Sequence, residues 1–102
     1  MTKYGLIGRM LAAPGKRDEL IDVLLGGVSG MPGCLSYVVA RDSEDPDALW
    51  VSEVWESKEA HETSLSLPPV QEAISKGRPM IAGFGERFET EPVGGHGLTT
   101  GS

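Results

Sequence analysis

The chain has 102 residues, 39% hydrophobic and 24% charged, which suits one globular domain with a single core but no enclosed ligand cavity unless a partner chain helps to build it. Its formal charge of −6 and pI near 4.8 repel phosphate, and its Lys and Arg are scattered, with Lys16-Arg17 the only adjacent pair, so no nucleic-acid face is expected. The single cysteine, Cys34, excludes an internal disulfide, and no apolar run approaches a signal-peptide core or a membrane span, so a cytoplasmic location is expected.

Lys3 to Ala12 reads as a strand ended by the turn Ala13-Pro14-Gly15. Gly5 and Gly8 within it mark a bulge or a place where something packs close to the backbone. From Lys16 to Val28, Leu20, Ile21, Leu24, Leu25 and Val28 recur on one face of a helix, with Arg17, Asp18 and Asp22 opposite. Gly30 and Pro32-Gly33 end it. Cys34 to Arg41 is a second strand and Ala48 to Glu56 a third, joined by the polar turn Asp42 to Asp47 into a hairpin of unspecified register. Alternation assigns Leu35, Tyr37 and Val39 to one face of the second strand and Cys34, Ser36, Val38 and Ala40 to the other. In the third strand Leu49, Val51, Glu53 and Trp55 oppose Trp50, Ser52, Val54 and Glu56. Both faces are substantially apolar, so the face that the helices leave open is expected to meet another protein surface.

Ser57 is suited to cap a helix, with Glu59 near the positive end of its dipole. This helix breaks at Leu67-Pro68-Pro69, and Ser66 is a candidate cap for a second piece carrying Val70, Ala73 and Ile74. Gly77-Arg78-Pro79 stops the second piece. Met80 to Phe84 is apolar and unassigned, and Glu86 to Glu91 reads as a charged edge strand. Residues 93–102 lack the apolar content to fold alone, so the domain is expected over 1–92 with a flexible tail that holds an incidental His96. The order β-α-β-β-α-β implies an α+β, ferredoxin-like antiparallel sheet with both helices on one face.

Ala48 to His61 concentrates the chemistry of the chain. Two Trp, the interior acid Glu53 and the only His before the tail lie together there. If Glu53 and Trp55 share the covered face and His61 follows one turn into the helix, the three line one aromatic cavity. An imidazole titrates at about 6.5 and a desolvated Glu is raised toward that range, which suits binding a flat hydroxylated aromatic and removing its proton. Tyr37 and Arg78 are secondary candidates for substrate contact. The residues alone leave open a solvated His61, a purely structural Trp55, and a Glu53 satisfied by Arg9, Arg41 or a backbone amide. Cys34, with no basic neighbour in sequence, reads as a packed thiol. No Gly-rich phosphate loop, nucleophile elbow, dinucleotide fingerprint or metal-spaced Cys/His pair occurs.

The strand-helix order, the Pro-Gly-Cys that opens the second strand, Glu53-Val54-Trp55-Glu56-Ser57 followed by His61, and the Pro-broken second helix resemble the antibiotic biosynthesis monooxygenase family over residues 3 to 92. The resemblance implies a homodimer whose two sheets pack face to face as a dimeric α/β barrel. It also implies oxidation of a quinol or polycyclic phenol by O₂ with no metal, flavin or other cofactor, with His61 as proton acceptor, Glu53 as orienting acid and Trp55 as aromatic wall. Haem-degrading relatives in the same superfamily use an Asn on the first strand, and this chain contains no Asn. The alternative of another class is a non-catalytic small-molecule-binding or stress-response barrel, because fold does not settle function.

Overall fold

The computed structural model describes residues 2–27 and 31–98. The elements run β1 (Tyr4–Ala12), α1 (Arg17–Gly27), β2 (Cys34–Arg41), β3 (Ala48–Trp55), α2 (Lys58–Ser64), α3 (Pro68–Gly77), a 3₁₀ turn (Arg78–Met80) and β4 (Ile81–Thr90). Val28 and Gly30, where the first helix was expected to end, lie outside the described residues, as do residues 99–102 of the tail. Residues 91–98 form no helix or strand. No helix among the described residues is long and apolar enough to cross a membrane.

The four strands form one antiparallel sheet in the order β2-β3-β1-β4, the ferredoxin-like arrangement. The expected hairpin is the β2–β3 pair. Its turn is drawn tight by Asp42, whose Oδ1 accepts from the Glu44 and Asp45 amides at 2.9 and 3.0 Å. The charged last strand lies at an edge, as expected, but it begins at Ile81, so most of the unassigned apolar segment belongs to it.

Both β1 glycines do what a strand glycine implies. A Cβ on Gly5 would collide with Thr90 Oγ1, and the β1–β4 register slips between Gly8 and Met10, where β4 carries an extra residue.

Two clusters make up the core on the helix-covered face. Leu20, Leu49, Val51 and Ala12 form one, packed against Met10, Ile21, Leu24 and Tyr37. Tyr4, Leu6 and Trp55 form the other, with Cys34 and Ala60 against them. Cys34 therefore lies on the opposite face from the one that alternation assigned. Cys34 pairs with Trp55 and Ser36 with Val54, so Leu35 is a bulge residue, and one extra residue reverses the side of everything before it.

Ser57 caps α2, its Oγ accepting from the Ala60 amide at 3.1 Å. Ser66 does not cap α3. Leu67 holds that position without a side-chain hydrogen bond, Pro68 opens the helix, and the Ser66 hydroxyl donates to Thr63 O instead.

Candidate functional site

Between the sheet and the helices lies a cavity of about 580 Å³, a size typical of small-molecule sites. Within this chain the cavity is open to the outside and not enclosed. Leu65 and Phe84 at the rim are 44% and 71% exposed. Tyr37, Glu53, Trp55, His61 and Arg78 all line it.

Four of these five converge at one end. Glu53 sits on β3 opposite both Leu6 of β1 and Tyr37 of β2, which turns its carboxylate toward the helices. Trp55, two residues on and on the same face, is 1% exposed and donates its indole N–H to Glu53 Oε1 at 3.0 Å. The Ser57 cap starts α2 at a defined residue, and His61 follows one turn later with its Nε2 3.8 Å from the same Glu53 oxygen. The His61 and Glu53 side chains are only 14% and 13% exposed. Arg78 lies apart from this group, at the far end of α3.

Glu53 does not use the partners that sequence left open for it. Arg9 is on the opposite face and bonds Asp42 and Asp45, while Arg41 pairs with Asp18. Burial pushes the Glu53 carboxyl above the ordinary glutamate range, and the Trp55 N–H, His61 and Arg87 oppose that shift without cancelling it. Burial likewise raises the Tyr37 hydroxyl well above a free phenol, with the Glu53 charge adding to it, and raises the Cys34 thiol. At neutral pH both are neutral, and the Cys34 Sγ–H points at Ser36 O, 3.6 Å away.

Sequence reasoning missed Tyr4. Its ring lies 5.5 Å from the His61 ring, centre to centre, while Trp55 meets the same imidazole edge-on at 5.4 Å, so His61 is held between two aromatic rings. Tyr4 is in turn fixed by a 2.6 Å hydrogen bond to Glu89 Oε2. Only the Tyr4–Trp55 pairing of β1 with β3 reveals this neighbour. Arg87 was legible in principle: alternation in β4 sets Arg87 and Glu89 against Phe88 and Thr90, so the two charged residues share the face that Tyr4 occupies. Ser64 was missed as well. It is buried, and its hydroxyl donates to His61 O at 2.6 Å, tying the turn that carries the imidazole.

The arrangement is a desolvated carboxyl beside an imidazole, walled by aromatic rings and opening into an otherwise largely apolar space. It can accept a proton from a flat hydroxylated ligand and stabilise the resulting anion. Among the described residues no group of three His, Cys, Asp or Glu is placed to hold a metal ion.

Comparison with known proteins gives a consistent family. The antibiotic biosynthesis monooxygenase domain matches residues 4–76. A crystal structure from Chloroflexus aurantiacus J-10-fl, described as a candidate antibiotic biosynthesis monooxygenase, is 64% identical, covers 94% of this chain and 98% of its own, and superposes with a TM-score of 0.92. A protein from Caulobacter crescentus CB15 described in the same way is 22% identical, with 91% and 92% coverage and a TM-score of 0.82. One from Pseudomonas aeruginosa is 21% identical, with 92% and 97% coverage and a TM-score of 0.78. These last two share the fold. No curated protein matches the chain.

Proposed function

The chain belongs to the antibiotic biosynthesis monooxygenase family, and from that premise we propose that it is a cofactor-independent monooxygenase oxidising a quinol or polycyclic phenol with O₂. The observation that carries this reading is the largely buried Glu53–His61 pair, 3.8 Å apart, at the inner end of an aromatic-walled cavity.

In the reaction the substrate lies in the cavity, with the buried Trp55 forming part of its inner wall and Tyr37 at its edge. Its hydroxyl gives a proton to His61, and Glu53 orients the imidazole and balances the charge that develops on it. The electron-rich anion then passes one electron to O₂. Superoxide and the substrate radical recombine at a ring carbon, the resulting peroxide anion takes the proton back from His61 to give a hydroperoxide, and loss of water from it leaves a carbonyl. One oxygen atom ends in the product and the other in water. The contribution of the protein is desolvation, alignment and support of the anion.

The working unit in this proposal is a homodimer of domains spanning residues 1–92, joined through the open sheet face, with 93–102 as an appendage. Support comes from the chemistry of that face. Ile7, Val38, Trp50, Val54 and Phe88 lie on it, and Arg9 on the same face is paired with Asp42 and Asp45, so this cation is not left alone when the face is covered.

Oxygen uptake with a panel of quinols and anthrone-type phenols in metal-free buffer tests the reading. We expect turnover by the parent and a loss of at least about 100-fold in kcat/KM for His61→Ala, the scale of a lost proton acceptor. A parent protein that binds these phenols without consuming O₂ leaves a non-catalytic binding barrel in place of the oxygenase.

A further inference from the structure

Resting on the reading of the cavity as a phenol site, we propose that Arg78 selects substrates carrying a second, anionic group. That group is a carboxylate in the first instance, at the end of the ring system remote from the hydroxyl handled by Glu53 and His61. His61 aside, the ionisable acid and the base lining the cavity are Glu53 and Arg78. Glu53 is already engaged by Trp55 and His61. Arg78 is not engaged: among the described residues it makes neither an ion pair nor a side-chain hydrogen bond. Lys3 and Arg87 share that state but do not line the cavity, whereas Arg9, Arg41, Lys16, Lys58 and Lys76 each have a carboxylate and Arg17 bonds two backbone carbonyls.

The two charges stand at opposite ends of the site. Glu53 is opposite Leu6 of β1, and the 3₁₀ turn that begins with Arg78 delivers Ile81 opposite Ala12. Six residues of strand separate those two levels, about 20 Å at roughly 3.3 Å per residue. An arginine reaching in from one level and a glutamate from the other leave a space suited to two or three fused rings. The wall between them is apolar, built from Met10, Leu24, Ile74 and Phe84, and so suits the ring faces.

The backbone at Arg78 is fixed on both sides. Its N–H closes the end of α3 on Ile74 O, and Pro79 follows it, so the guanidinium swings from a defined point at the mouth. The formal charge of −6 makes the molecule as a whole unattractive to anions. A preference for an anionic ligand therefore requires a local cation, and a planar guanidinium can meet a carboxylate with two parallel hydrogen bonds.

Two dihydroxyanthraquinones test this directly: rhein carries a carboxylate where chrysophanol carries a methyl group. Their dissociation constants from the parent, Arg78→Gln and Arg78→Lys are read by quenching of Trp fluorescence at low ionic strength. The parent is expected to bind rhein roughly fivefold or more tighter than chrysophanol, a scale appropriate to a partly exposed charge pair. Arg78→Gln loses that preference while binding chrysophanol within about twofold of the parent, which reports an intact cavity, and Arg78→Lys keeps part of it. Equal affinities for the two ligands in the parent, or a preference that survives in Arg78→Gln, overturns the role of Arg78 and leaves the phenol site standing. Failure of the parent to bind either ligand overturns the phenol site, and this inference with it.

Discussion

Glu53 is held where water reaches it poorly, and that costs the folded protein something whenever the carboxyl is charged. Because burial raises its pKa in the folded state, the native protein binds a proton that the unfolded chain releases. The sign follows from linkage: the contribution of the neutral carboxyl is fully present below the pKa of the unfolded glutamate and is lost as pH rises through the higher folded value. Glu53→Gln removes this dependence. Thermal unfolding from pH 4 to pH 8 is thus expected to give a flatter stability profile for Glu53→Gln than for the parent, with the variant gaining on the parent as pH rises. A parent and variant whose profiles stay parallel would show that Glu53 is not desolvated in solution. Oxidation should follow the same group: the rate rises with pH as the Glu53 carboxyl ionises, and that limb is missing in the Gln variant.

One capped turn carries much of the site at the level of the elements. Ser57 sets the first residue of α2, and the first residue of α2 sets where His61 falls relative to Glu53. Ser57→Ala removes the acceptor for the Ala60 amide, and a lost N-cap costs about 1 kcal/mol. The expected result in chemical denaturation is a lower midpoint at unchanged slope, with the fall in oxidation rate larger than the change in stability explains, because fraying begins in the turn that holds the imidazole. The turn before β2 supports the same place from the other side. Gly33 has φ +80, and a Cβ there would come within 2.7 Å of the Ala60 methyl, so this glycine lets α2 settle against the sheet.

At the scale of the whole molecule, the sheet has one face under helices and one without a cover. Val38 of β2 and Phe88 of β4, both on the open face, are 54% and 52% exposed. Two such faces packed together remove that area from water. Sedimentation of the parent is expected to report a dimer, and Val38→Lys combined with Phe88→Lys to report a monomer of the same secondary structure. A parent that sediments as a monomer at micromolar concentration would remove the barrel proposal but not the single-chain cavity.

Element order, the helix-capping serine, the broken second helix, the charged edge strand and the two-sided apolar sheet were all legible in the sequence. Each depends on neighbours a few residues apart, through alternation in strands, helical spacing, and the fixed geometry of Pro and Gly. So was the grouping of Glu53, Trp55 and His61, because a strand of known alternation followed by a capped helix brings them together locally. What needed the tertiary structure is what depends on register and bulges. The bulge at Leu35 moved Cys34 to the covered face, the β1–β3 pairing brought Tyr4 against His61, and the β1–β4 register set Arg78 a strand's length away from Glu53. The physical reason is that the local chemistry of one strand specifies which side chains alternate, but not which residue of a distant strand lies opposite, and a single inserted residue reverses a face at no visible cost in composition.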